Sequence, residues 1–492
     1  MIKRGAAAQL ILVLVILLAA VLIGKGLSTG NLTALFIPLA AVVLFLSLTS
    51  PWLSLLAFLL LFLQFRSSAD ITPMKLGTLG YMVLLFLLSF ASFLRERRWD
   101  RTARYTTTLI FAFLAYLGLS LGIARVGGVS FSDWGRDVFP LAALCAAAIF
   151  VTTLRTQRQW TLTAIALLVV VVNMGASAAG NLGGRLGDWV LVPALAQWDS
   201  TLIPAALIAI GAAMLLQGRR VNWPYVGVLA LGLLTAVLTP TRTVWISAAL
   251  TLLVLLAVSV GRFRRWSAAL GLLLLAGGFV GATLLLWQNS GPDTSWGEQT
   301  GRFSTLQNLN EDQSVTIRRD QLNEALRLFR SSPIIGVGLG YQYRYSISFT
   351  DRYDVPTNYN HSDLANSLAK MGVLGTALIY ALLVFAILAA VRLQRVGVLP
   401  QDRALGMAAE AALIVAIVIG NSTPMLQEKG SAFLLSLLVG LVLARLNLLQ
   451  AARAVRPEEL MLQGETAPGE PGPPVAVNEA ATLPGTGGDP YP

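Results

Sequence analysis

The chain is short of charge, of cysteine and of histidine, and each shortage closes off a class of protein. Only 12% of its 492 residues are Asp, Glu, Lys or Arg, about half the share found in a soluble domain. That leaves too little polar surface to wet a molecule of this size. The one cysteine, Cys145, sits in an apolar run with no second thiol for an internal disulfide. One cysteine and one histidine, His361, cannot build the Cys/His cluster of a zinc site, so no metal and no other cofactor is expected. The charge that remains is mostly positive, net +11. It stands in short clusters between apolar runs, which fits membrane topology and anionic headgroups rather than nucleic acid.

What the chain has in abundance is apolar sequence, 55% of residues, with a mean hydropathy of +0.69. A helix needs about twenty apolar residues to cross the hydrocarbon. Runs of that kind fall near 8–24, 31–48, 51–65, 76–94, 106–124, 138–154, 160–180, 199–217, 222–239, 243–260, 266–287, 363–391, 404–422 and 431–449. The expected fold is therefore an all-α polytopic integral membrane protein of about 14 transmembrane helices, or 12 to 14. The run at 51–65 is short and opens with Pro51, so it reads as tilted or re-entrant. The first run, behind basic Lys3 and Arg4, reads as a retained anchor rather than a cleaved signal.

With the N-terminus inside, the basic clusters at Arg95–Arg104, Arg155 and Arg158, Arg219 and Arg220, Arg262–Arg265, Arg392–Arg403 and Arg445–Arg456 all fall on the inner side. The short outer turns carry one or two cations each. The positive-inside rule then places both termini in the cytoplasm. The chain divides into a membrane bundle of about eleven spans at 1–287, a long extracytoplasmic loop at 288–362, about three further spans at 363–456, and a tail at 457–492. The tail is rich in Pro, Gly, Glu and Ala and is expected to be disordered and cytoplasmic.

Long loops without spans of their own usually carry function. The middle of this one predicts an amphipathic helix from Val315 to Arg330, with Leu322, Ala325, Leu326 and Phe329 forming the apolar stripe. Arg318, four residues before Leu322, would head that stripe, with Arg319 turned to the side. Ser331-Ser332-Pro333 ends the helix. Gly336, Gly338 and Gly340 follow, at alternate positions, and read as a tight structural turn or as an anion-binding nest.

The loop closes at His361, just before the next span, which Ser362 or Asp363 can cap. A helix N-terminus disfavours a protonated imidazole, and a neutral imidazole is what a general base needs. His361 reads as such a base or as an ordinary surface residue. Upstream, Arg242 lies in the short outer turn Thr239–Thr243, placed there for function or by snorkelling to lipid phosphates. Lys370, two turns into its span, lies within snorkelling reach of the outer surface, and its depth does not match that of Glu410. Tyr341, Tyr343 and Tyr345 read as interface aromatics or as platforms for sugar rings.

From Thr316 to Tyr380 the sequence resembles the O-antigen ligase and polymerase family of bacterial envelope glycosyltransferases. Three pieces match in order: "IRRDQLNEALRLF", "SSPIIGVGLG" and "NHSDLANSLAKMGVLGTALIY"; "TPTRTVW" resembles the family's arginine-bearing outer turn. Departures are Leu322 where an aromatic is frequent, Lys370 where an acid is common, and His-Ser-Asp in place of the commoner His-Asn. The resemblance implies an inverting, metal-independent transfer of a glycan from undecaprenyl diphosphate to an acceptor sugar hydroxyl, at the outer face of the cytoplasmic membrane. It implies His361 as base, Arg242 and Arg318 with Arg319 as diphosphate ligands, and Gly336, Gly338, Gly340 and Tyr341 as a supporting loop. Partners would be the lipid-linked glycan, an acceptor glycan or glycolipid, and the bilayer. A polysaccharide polymerase of the same family is an alternative reading. A transporter or flippase is another, although few ionisable residues lie deep in any run.

Overall fold

A computed structural model describes Trp52, Leu55 and residues 73–96, 99–183, 202–218, 222–238, 242–263, 266–288, 313–345 and 355–464. The runs expected at 8–24 and 31–48, and nearly all of 51–65, lie outside the described residues. Every other expected span coincides with a helix: α1 Pro73–Arg95, α2 Arg101–Val126, α3 Phe131–Cys145 with α4 Ala147–Thr153, α5 Gln157–Gly183, α6 Leu202–Gln217, α7 Trp223–Leu238, α8 Arg242–Phe263 and α9 Trp266–Gln288. The loop contains α10 Gln313–Ser331, β1 Tyr343–Tyr345 and β2 Val355–Thr357. Then come α11 Asp363–Val396, α12 Pro400–Ile419 and α13 Lys429–Gly464.

Among the described residues five helical stretches are long and apolar enough to cross a membrane: Arg101–Val126, Phe131–Thr153, Thr243–Phe263, Asp363–Val396 and Gly430–Ala454. Three shorter apolar helices accompany them. The chain is thus a helical, polytopic membrane protein. The expected all-α fold needs one addition, a two-stranded antiparallel sheet in the loop that pairs Tyr343 with Thr357 and Tyr345 with Val355.

The chain divides into two units, Met1–Gln450 and Ala451–Pro492. In the second, helix continues through Pro457 to Gly464, into the segment whose composition suggested disorder.

Local chemistry sets several helix ends. The Asp100 carboxylate accepts from the amides of Thr102 and Ala103 and so starts α2. Ser130 caps α3 through the Asp133 amide, so that the helix starts at Phe131, seven residues before the predicted start of that span. Pro400 opens α12 at a position where its missing N–H costs nothing. Around these, α2 packs on α3 and α11, α12 on α11 and α6, and α8 on α6, α9 and α12.

Charged residues knit one end of the bundle. Arg262 meets the Glu410 carboxylate at 2.7 Å, and Gln394 joins the same group. Arg392 pairs with Asp100 at 2.8 Å. Arg445 pairs with Asp402 at 2.7 Å, with Gln157 as a further partner. These contacts put the C-terminal ends of α8 and α11 side by side. Two spanning helices whose C-terminal ends meet must start on the same side of the bilayer. Arg242, the first residue of α8, therefore begins on the side where α11 begins.

Candidate functional site

At the start of α11 the loop folds down onto the bundle. The loop helix α10 runs slightly longer than predicted, and its buried face is turned from the expected one. Gln321, Ala325 and Leu328 are buried, whereas Leu322 is 42% and Leu326 37% exposed. Hydropathy selected the leucines, but hydrogen bonding selects Gln321, whose polar group is satisfied inside. Arg318 precedes Gln321 by three residues, so it still heads the packed face (i, i+3). Ala325 and Leu328 rest on Tyr343, Ala365 and Ala369, with Tyr341 partly buried against them. Tyr343 is 1% exposed and its hydroxyl donates to Asn366 at 2.8 Å. It is therefore a core residue and not a platform for a sugar. The side chain of Tyr345 lies outside the described residues.

In the glycine turn the amides of all three glycines are engaged within the protein. Gly336 donates to Ser332, Val337 to the Ala369 carbonyl at 2.9 Å, Gly338 to the Lys370 carbonyl at 3.0 Å, and Gly340 to the Asp137 carboxylate at 2.6 Å. This favours the structural reading of the turn, because the amides of its three glycines already have acceptors within the protein. In exchange, Val373 and Leu374 donate to the carbonyls of Pro333 and Ile334. The exchange is possible because α11 kinks at Gly372, at φ 62°. A Cβ at Gly336 would lie 2.3 Å from the Lys370 carbonyl carbon, and one at Gly372 would lie 2.3 Å from the Ile334 oxygen. Positive φ and close approach both require glycine here.

Lys370 does not snorkel. It is 1% exposed, and its ammonium meets the Asp137 carboxylate at 2.7 Å and the Asn358 carbonyl at 2.8 Å, 5.1 Å from the centre of the Tyr343 ring. The pair ties α3 to α11 and to the loop's last residues. Glu410 is taken by Arg262, as unequal depths along the helices require.

Against this scaffold Asn360 and His361 are held on two sides. Asn360 is 1% exposed; its amide nitrogen donates to the Gln321 carbonyl at 3.0 Å. The Gln427 side chain donates to the Asn360 carbonyl at 3.0 Å and to Asp363 at 3.1 Å. Ser362 caps α11 through the Ala365 amide at 3.2 Å. The Asp363 carboxylate instead accepts from the amides of Met425 and Leu426. His361 is half-buried, edge-on to Tyr359 with centroids 4.9 Å apart. Its Nδ1 lies 2.6 Å from the Gln321 side-chain oxygen.

Burial, and then the positive charge of Arg318, push the His361 pKa down to about 4. The imidazole is neutral at pH 7, and Arg318 is close enough to act on it. The structure thus brings His361 and Arg318 together. Arg318 and Arg319 are both exposed, and neither has a carboxylate partner among the described residues. The side chain of Arg242 lies outside the described residues; its backbone starts α8 on the same side.

Residues 227–380 match the family model described as O-antigen ligase. No curated protein matches the chain. The matched segment runs from α7 through the loop to the middle of α11 and takes in Arg242, Arg318, Arg319, the glycine turn and His361. The resemblance read from the motifs therefore stands. Asp137, which anchors both the glycine turn and Lys370, lies outside that segment, and so do Gln427 and the backbone amides that hold Asp363. Sequence reasoning missed these and Gln321. No hydropathy signal marks them, because their role is to satisfy polar groups on distant elements.

A cavity of about 140 Å³ reaches Tyr359, the ring partner of His361; Asp137, Asn358, Asp363 and Gln427 line it together with a mostly apolar wall that includes Leu141 and Met371.

Proposed function

We propose that this protein is a glycosyltransferase that moves a glycan from an undecaprenyl diphosphate carrier to an acceptor sugar hydroxyl, with inversion, at the outer face of the cytoplasmic membrane. The observation that carries this reading is the neutral, half-buried imidazole of His361 beside the exposed guanidinium of Arg318, within the O-antigen ligase segment. His361 takes the proton from the acceptor hydroxyl as that oxygen attacks the anomeric carbon. The bond from that carbon to the diphosphate oxygen breaks, and the lipid diphosphate leaves with its charge. Guanidinium forks suit phosphate oxygens, and Arg318 and Arg242 neutralise the leaving group, with Arg319 as a further cation. The glycine turn and Tyr341 hold the loop on α11. About fourteen spans, with both termini in the cytoplasm, set this chemistry on the outer side, where the polyprenol tail stays in lipid.

The test is purified full-length protein with a lipid-linked glycan donor. Transfer is expected with wild type and should fall by about 10²–10⁴-fold in His361→Ala at equal folded yield. Unchanged transfer in that variant would remove the mechanism. Offering a glycolipid acceptor and a second lipid-linked glycan in parallel separates ligase from polymerase, since the same two groups serve both.

A further inference from the structure

A general base needs more than a neutral ring; its lone pair must sit on the correct nitrogen. We propose that Gln321 is the positioning residue of this site: its side-chain oxygen holds His361 in the Nδ1–H tautomer and leaves Nε2 as the proton acceptor. This rests on the reading of His361 as the base.

The tautomer follows from a chain of hydrogen-bond constraints. The two ends of a glutamine amide look alike, and so do the two nitrogens of a neutral imidazole. A backbone N–H has no such freedom, because it can only donate. The backbone N–H of His361 points at the Gln321 side chain at 3.1 Å. The atom that receives it must be the carbonyl oxygen. That same oxygen lies 2.6 Å from Nδ1 of His361. An oxygen with no proton of its own can face Nδ1 at that distance only if Nδ1 carries the hydrogen. In a neutral ring the lone pair is then on Nε2.

Gln321 is itself held. It is 2% exposed, it sits on the packed face of α10, and its backbone carbonyl accepts from the Asn360 side chain. Two donors of one residue and one donor of its neighbour thus converge on a single glutamine. Because Arg318 stands three residues before Gln321, the helix presents the leaving-group cation and the tautomer-setting acceptor from one surface. Any displacement of α10 would move both together.

The chain has a single histidine, so ¹⁵N-histidine labelling of the full-length protein gives the resonances of His361 alone. Spectra at about pH 9, with the ring neutral, should show Nδ1 protonated and Nε2 bare in wild type. Gln321→Met removes the acceptor, and the ring should pass to a mixture or to the Nε2–H form. Gln321→Glu keeps an acceptor at that point and should restore Nδ1–H, which guards against a Met variant that merely misfolds. In the transfer assay Gln321→Met should lower kcat about 10- to 100-fold, less than loss of the base itself, with KM for the donor unchanged. A wild-type ring protonated at Nε2, or a Met variant with an unaltered spectrum and rate, overturns the proposal. The spectrum does not depend on turnover. A His361→Ala variant that still transfers would therefore sink the base assignment while the tautomer result stood on its own.

Discussion

The arginines that link helices at one end of the bundle and the arginines that head α10 at the other are handled in opposite ways. Where α8 and α11 finish, Arg262, Arg392 and Arg445 each meet a carboxylate on another helix, and the Arg445–Asp402 pair is almost wholly enclosed. Where α11 starts, Arg318 and Arg319 stand exposed with no carboxylate partner among the described residues. The cation buried there is Lys370, and it is matched by Asp137. Charge that holds helices together is neutralised within the protein. The guanidinium beside His361 has no such partner among the described residues, which fits the diphosphate-binding role proposed for it above.

The contrast can be broken by substitution. The largest effect is expected for Arg445→Met, which strands the Asp402 carboxylate in the interior. Removing one partner of a buried pair costs roughly 3–5 kcal/mol, read as a lowered thermal midpoint in detergent or as loss of folded yield. Arg318→Gln should leave stability alone and lower transfer about 10²-fold, the scale for one lost donor to a developing anion. If Arg318→Gln instead unfolded the protein, the division between structural and functional arginines would fail.

The pH dependence sharpens the same point. An ordinary histidine would begin to lose its lone pair to a proton near pH 6.5. With its pKa pushed down to about 4 by burial and by Arg318, His361 stays neutral as pH falls, and transfer should hold until that region. In Arg318→Gln one of the two causes is gone, so the residual activity should fail at a higher pH than in wild type. A wild-type acidic limb near 6.5 would show the ring to be solvated. The smallest effect is expected for Arg327→Gln. Its pair with Glu324 is exposed on the arginine side, and such pairs contribute about 0–1 kcal/mol, so stability and transfer should both stay near wild type.

Much of this architecture was legible in the sequence, and the rest was hidden for identifiable reasons. Apolar length marked the spans, because the hydrocarbon imposes it on each helix separately. The arginine of α10, His361 and the cap at Ser362 were readable because each is a local feature of its own segment. The packed face of α10 was misjudged because Gln321 is buried by hydrogen bonds rather than by hydropathy. The fate of Lys370 was misjudged because its partner, Asp137, lies 233 residues away. Hydropathy periodicity describes a helix's own surface and cannot name the acceptor that a distant element brings to it.

The kink at Gly372 has a consequence for how this protein can be re-engineered. Because the turn after α10 and the broken ladder of α11 complete each other's hydrogen bonds, the loop lobe and the helix it precedes are spliced rather than hinged. A chimaera that exchanged the lobe alone would carry a plug without its socket. Recombination between relatives should respect a cassette that ends beyond Leu374, not at the start of α11.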